Sequence, residues 1–425
     1  MSPARLLFVS NYYPPHALGG YEMWCHEVAT GLRARGHEVS VLTSRLPGRR
    51  PSAPEEGPVY RTLYLELEGG LLHTVGRLSW TRDRRERQNL AQVERLLQEI
   101  QPDRVILWGM WNVPRSVPAL LERAMPGRVL YYLCDYWPTL PSAYLQRWQE
   151  PARHPALKVA KRCLARGFAA RAARPLPTLA LERPVCVSHA LQRELMARGA
   201  QVAHGTVLYG GIDVTPYARQ RPEPRAPHAP LRLVFLGRLV PDKGLHTLLE
   251  ALAHLPAPVQ RTLSLDIFGR GDPGYEARLR AQAQQSPMAP QIRFHGQIPH
   301  ERVPRALAGR HVLVFPSEWP EPFARTVLEA MAAGLAVVGS TAGGTPEILV
   351  EKETGLLFPP GDAQALASQL LRLAQDEPLR RQIAAQGQRR VLQHFTLARM
   401  VEDFEALCTQ ELPIPSSPVG GSDLG

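Results

Sequence analysis

"FLGRLVPDKGLHTLLEAL", residues 235–252, opens as a buried strand and closes as an amphipathic helix. Between the two lie Gly237, Arg238, Pro241 and Lys243. An apolar strand feeding a helix is the repeating piece of an α/β sheet, and in such sheets ligands bind beyond the carboxyl ends of the strands. Two cations beside a helix N-terminus suit a diphosphate, stabilised by the Arg fork, the Lys ammonium and the helix dipole. A solvated pair of surface charges is the plain alternative.

The same alternation extends in both directions. Downstream, "TLSLDIFG" (262–269), "QIRFHG" (291–296), "HVLVF" (311–315) and "LAVVG" (335–339) are strand-like, following "LRLVFLG" (231–237). Upstream, residues 214–230 are rich in Pro and Arg without periodicity, which marks a linker. Before it come "RLLFVS" (5–10), the helical "YEMWCHEVATGLRAR" (21–35), "EVSVLT" (38–43), "RVILW" (104–108), "RVLYYL" (128–133), "PVCVS" (184–188) and "TVLY" (206–209). The expected fold class is α/β, with two Rossmann-like doubly wound domains facing each other across a cleft. The expected division is a first domain over 1–213, the linker, a second domain over 231–395, a helix over 396–412 that crosses back to the first domain, and a disordered tail over 413–425.

Bulk properties agree with this scheme. A chain of 425 residues exceeds the size at which one core keeps growing. Hydrophobic residues make up 44% and charged ones 21%, an ordinary globular balance. No apolar run reaches the roughly 18 residues of a membrane span, and the first apolar run is too short for a signal peptide, so a cytoplasmic protein is expected. The five cysteines are scattered without metal-ligand spacing and read as buried thiols. The net charge of +11 asks for an acidic partner. Residues 147–174 hold eight Arg or Lys against one Glu.

Three further strand-to-helix turns carry unusual residues. After the first strand, Gly19 and Gly20 either form a plain tight turn or let helix-opening amides approach a phosphate or hydroxyl. After "HVLVF", Pro322 suits the first turn of a helix ending at Gly334, so Glu321 is expected at its mouth and Glu329 two turns inside. The pair could span a nucleotide sugar from ribose to hexose. Gly343 and Gly344 lead into another short helix, which again reads as a capped turn or an anion site.

Taken in order, "GRLVPDKG" (237–244), "FGRGD" (268–272), the E-x7-E pair within "EPFARTVLEAMAAGLAVVGS", "GGTPEI" (343–348) and "TGLLFPPGD" (354–362) resemble family 4 of the retaining glycosyltransferases, which have the GT-B fold. The resemblance implies that the second domain binds a nucleotide-diphosphate sugar. Arg238 and Lys243, beside Gly237, would hold the diphosphate, Glu329 the ribose, and Glu321 the transferred sugar. The Gly343–Gly344 turn would join this donor set, and Gly19 and Gly20 would close over the phosphates from the first domain. No cofactor and no metal are expected, because cationic side chains and helix dipoles can stabilise the departing diphosphate. In "YYLCDYWP" (131–138) Cys134 stands where the family often has His, which leaves Asp135 as the first domain's candidate catalytic residue.

The acceptor is expected to be a glycan, a lipid-linked sugar or a small molecule, in cell-surface polysaccharide or glycoconjugate assembly. The segment "ALKVAKRCLARGFAARAAR" (156–174) fits either a helix lying on an anionic membrane surface or a basic helix packed on its own domain. Nucleic acid is not an expected partner, since no recognition module is present. The alternatives are a nucleotide-sugar epimerase or hydrolase of the same architecture and a noncatalytic sugar-nucleotide-binding partner subunit.

Overall fold

The computed structural model describes residues 3–16, 19–45, 57–67, 79–143, 145–146, 176–218 and 229–409. The basic segment 156–174, the tail 413–425 and most of the 214–230 linker lie outside the described residues. The chain divides into two compact units. Unit 1 holds Met1–Val185, Leu195–Thr206 and Val401–Gly425, and unit 2 holds Cys186–Glu194 and Val207–Met400.

Seven strands make the first sheet: β1 (Arg5–Ser10), β2 (Glu38–Ser44), β3 (Val59–Leu63), β4 (Arg104–Trp108), β5 (Val129–Leu133), β6 (Arg183–Cys186) and β7 (Thr206–Val207). Their order is β3-β2-β1-β4-β5-β6-β7. β1 pairs in parallel with both β2 and β4. Leu6, Leu7, Phe8 and Val9 of β1 are fully buried, which is what a strand covered by helices on both faces requires.

The helix Leu397–Thr409 begins in unit 2, and from Val401 onward it belongs to unit 1. There Phe404 stacks on Trp108 at 5.2 Å and meets Tyr132 edge-on at 4.8 Å, all three fully buried. Glu405 adds an ion pair to Arg35 (2.5 Å) and a hydrogen bond to His37 Nε2 (3.0 Å).

Unit 2 carries β8 (Leu231–Leu236), β9 (Leu263–Phe268), β10 (Ile292–Gly296), β11 (Val312–Phe315), β12 (Ala336–Ser340) and β13 (Leu356–Phe358). The order is β10-β9-β8-β11-β12-β13. Its core runs from Leu233 and Val312 in the sheet to Leu248 and Leu252 of the helix Leu245–Ala253 and Leu366 and Leu370 of the helix Ala363–Gln375.

Two strands were not expected. β3 is an edge strand with one fully buried residue, Leu63, so its apolar signal is diluted. β13 has only three residues.

Candidate active site

The second sheet reverses its order between β8 and β11, so the loops after these strands flank the switch point where α/β sheets bind ligands. After β8, the Gly237 amide donates to Phe268 O at 3.0 Å, prolonging the ladder to β9. A 3-10 turn, Pro241–Lys243, follows, and Gly244 opens the helix Leu245–Ala253 at φ 65°. A Cβ on Gly244 would stand 1.9 Å from Pro316 O, so both the left-handed backbone and the approach of the two loops demand glycine.

That approach is sealed by one carbonyl. Asp242 O accepts from the amides of Glu318 (2.9 Å) and Trp319 (3.1 Å) and lies 3.1 Å from Ser317 Oγ. In consequence Lys243 Nζ donates to Glu321 Oε1, which Ser317 Oγ also reaches at 3.0 Å. Both groups are mostly buried, with side-chain exposures of 19% and 14%. Arg238 does not join this pair. It is exposed and makes no ion pair among the described residues.

The helix expected from Pro322 begins instead at Arg325 and runs to Ala332. Its would-be first carbonyls are used elsewhere. Glu321 O accepts from the Gly344 amide at 2.7 Å, and Pro322 O accepts from Ser188 Oγ at 2.7 Å. Glu321 therefore sits in a braced loop ahead of the helix. Gly343, at φ 60°, lies beneath it, and a Cβ there would come within 2.2 Å of Glu321 O. The Gly343–Gly344 turn thus supports Glu321, and the Gly344 amide is already donated within the chain. Glu347 of the same motif accepts from the amides of His189 (2.9 Å) and Ala190 (2.6 Å), capping the helix His189–Ala197.

Glu329 lies on the helix Arg325–Ala332 with its side chain only 3% exposed. Arg325 Nε donates to its Oε1 at 3.0 Å and His300 Nε2 to the same oxygen at 2.9 Å. Burial alone would raise the Glu329 pKa. The His300 hydrogen bond and the Arg325 charge overcome it and hold the carboxyl below its usual range. Neither partner was anticipated. Arg325 was legible as an i,i+4 partner of Glu329, whereas His300 has no local signal.

In unit 1, Gly19 precedes the helix Gly20–Ala34 in an extended conformation, φ −161°, and donates its amide to Glu22 Oε2 at 2.9 Å. Glu three residues after a cap is a sequence signature that could have flagged this residue. Glu22 is fully buried, and its Oε1 has no hydrogen-bond partner among the described residues. Desolvation pushes its pKa up to about 7, against the Gly19 hydrogen bond. Asp135 follows β5 and accepts from the Trp137 amide at 2.9 Å; desolvation pushes it up to about 6. Asp135 is close enough to Glu22 and Tyr21 to raise both of their pKa values. Cys134 is buried beside it.

Residues 18–215 match the family described as Glycosyltransferase Family 4, and residues 217–390 match Glycosyl transferases group 1. The chain belongs to the family 4 glycosyltransferases. A similar relative is the glycogen synthase of Mycobacterium tuberculosis, 27% identical over 417 residues, 94% of this chain and 91% of that one. Among solved structures, the sucrose-phosphate synthase of Thermosynechococcus elongatus superposes with a TM-score of 0.69 at 20% identity, covering 95% of this chain and 97% of the other. HepE of Anabaena, in complex with UDP-glucose, superposes with a TM-score of 0.64 at 19% identity, covering 96% and 100%. These likenesses assign the GT-B fold. This glycosyltransferase has no helix among its described residues that is long and apolar enough to cross a membrane.

Proposed function

We propose that this enzyme transfers a sugar, with retention and without a metal ion, from a nucleoside-diphosphate donor bound by unit 2 to an acceptor hydroxyl bound by unit 1. The observation that carries the reading is the Lys243–Glu321 pair at the β8/β11 switch point. A Lys ammonium has three donors, so Lys243 can keep Glu321 and still give hydrogen bonds to two phosphate oxygens. Charge grows on the diphosphate as the glycosidic bond breaks, and a cation fixed beforehand stabilises that transition state without reorganising. Arg238, exposed beside the same turn, adds a second cation, and the start of the helix Leu245–Ala253 adds its dipole.

Glu321 would accept hydrogen bonds from the transferred sugar. Both its side-chain contacts among the described residues fall on Oε1, which leaves Oε2 for a hydroxyl. Glu329 would meet the ribose together with His300. The bond from the anomeric carbon to the phosphate breaks, the acceptor oxygen bonds to the same face, and the acceptor's proton passes to the leaving diphosphate. Asp135 and the Gly19–Gly20 helix start would serve the acceptor side. The binding of UDP-glucose by HepE supports a nucleotide-sugar donor. The role in surface polysaccharide or glycoconjugate assembly and the contact of 156–174 with an anionic membrane are parts of the same proposal.

The test is thermal stabilisation by a panel of nucleotide sugars, since a ligand that binds the native state raises its melting point. Lys243→Ala and Glu329→Ala should each abolish the shift given by the true donor. A full shift in both variants would refute the placement. Retention is checked by NMR of the product's anomeric proton, and metal independence by activity in excess EDTA.

A further inference from the structure

Glu318 stands three residues ahead of Glu321 in the loop after β11 and is tied twice to the other side of the switch point. Its amide donates to Asp242 O at 2.9 Å. Its carboxylate oxygen Oε1 accepts from Thr247 Oγ1 at 2.6 Å and lies 3.2 Å from His246 Nε2, both in the first turn of the helix Leu245–Ala253. We propose that Glu318 is a positioning residue for Glu321: through Thr247 and His246 it fixes the loop that presents Glu321 to the transferred sugar. The inference rests on the donor reading and adds to it the group that sets the geometry of that site.

The clamp is itself held. A carboxylate only accepts, so His246 Nε2 carries the proton that faces Glu318, and in the neutral ring Nδ1 then accepts from Tyr275 Oη at 2.9 Å. Tyr275 lies on the helix Pro273–Gln285 and is 8% exposed. Burial first, and the Glu318 charge second, push its phenol up, so it stays a donor. Gln282 of the same helix donates to His246 O at 3.1 Å. The bonds from Tyr275 to His246 and from His246 to Glu318 therefore run in one direction, which gives the imidazole one tautomer and one orientation. Thr247 is buried, so its hydroxyl reaches the carboxylate from a desolvated position.

Between Glu318 and Glu321 there is little slack. The Trp319 amide shares Asp242 O at 3.1 Å, and Trp319 O accepts from the Glu321 amide at 2.7 Å, closing a tight turn. Ser317 Oγ lies 3.1 Å from Asp242 O and 3.0 Å from Glu321 Oε1. A shift of Glu318 is thus passed on to Glu321. Misplacing a group at the reacting centre by about 1 Å can cost on the order of 10²-fold in rate. The turn that carries Lys243 keeps its own backbone bonds, Lys243 N to Val240 O at 3.0 Å and Gly244 N to Pro241 O at 2.9 Å. Loss of the clamp should therefore disturb the sugar end of the donor and spare the diphosphate end.

The experiment uses the full chain and three variants. Thr247→Val keeps the shape of the side chain and removes its donor, Glu318→Ala removes the carboxylate, and Thr247→Ser is the rescue. Amide exchange of the segment 317–323 is read by mass spectrometry without nucleotide. Calorimetry measures the affinity for UDP-glucose, GDP-mannose and ADP-glucose and for UDP, GDP and ADP. In Thr247→Val and Glu318→Ala the segment should exchange about tenfold faster, since a hydrogen bond to a charged group is worth roughly that factor in an equilibrium. The ratio of sugar-nucleotide to bare-nucleotide affinity should fall by a similar factor with bare-nucleotide affinity unchanged, and Thr247→Ser should restore both. Unchanged exchange in both variants, faster exchange with an unchanged ratio, or equal loss of affinity with and without the sugar would overturn the inference. Nucleotide binding with unchanged exchange sinks the clamp alone, whereas a wild-type chain that binds none of these nucleotides sinks the donor reading and the clamp's role with it.

Discussion

Lys243 and Glu321, 78 residues apart in the chain, are joined by a hydrogen-bonded ion pair because β8 and β11 lie side by side where the second sheet reverses its order. The pair sits among groups that cannot easily move. Asp242 O holds the opposite loop, and Gly344 holds Glu321 from below. Removing the ammonium should therefore remove charge stabilisation without collapsing the loop. Lys243→Ala is expected to lower kcat by about 10²–10³-fold, the range seen when one preorganised donor is lost. Steady-state kinetics with the true donor check this.

His300 is the more exposed partner of Glu329, 35% against 3% for their side chains, so under the proposed donor placement it is the group a ribose would meet first. His300→Ala should raise the donor KM while changing kcat much less, because the ribose is remote from the bond being broken. An unchanged KM would show that the donor bypasses this pair.

Glu22 should make unit 1 less stable as pH rises. Its folded pKa, about 7, is above the ordinary glutamate value of 4.5, so between these values the folded state keeps a proton that the unfolded state has lost. Stability is full below the lower value and declines through the upper one. From pH 5 to pH 8 the wild type should lose on the order of 2 kcal/mol more than Glu22→Gln, measured by urea unfolding at each pH. Asp135 contributes with the same sign, so the difference between the two proteins is the quantity to measure.

Gly244→Ala should be costly. The added methyl would need a left-handed backbone and the space occupied by Pro316 O. A loss of about 2–4 kcal/mol is expected from strain together with separation of the two loops. Donor-induced stabilisation should fall in parallel, since the same loops carry Lys243 and Glu321.

Much of the fold was readable because its strands are buried on both faces and announce themselves as apolar runs. β1, β4, β8 and β11 fall where those runs lie. Edge strands lack that signal, and β3 and β13 went unseen. For the site, residue types and order pointed to Lys243, Glu321 and Glu329, but pairings depend on strand order, which no local pattern encodes. The bond from Lys243 to Glu321 and the contact of His300 with Glu329 are of this kind. The start of the helix at Arg325 was misplaced for a related reason. Pro322 favours a helix locally, yet Gly344 and Ser188 claim the carbonyls that the first turn would need. The Gly343–Gly344 sequence reads either as a capped turn or as a place for ligand amides, and only the folded chain shows that the Gly344 amide donates to Glu321 O.

The helix Leu397–Thr409 has a consequence for biosynthesis. Phe404 fills the space against Trp108 and Tyr132 at the centre of unit 1, so the hydrophobic interior of the half translated first stays incomplete until the segment that follows Met400 has been made. Nascent domains usually close in the order in which they emerge from the ribosome. Here Val207–Met400 can finish while the earlier half still waits for its final aromatic ring, and a message cut short after Met400 would yield a sound second unit attached to an unfinished first one.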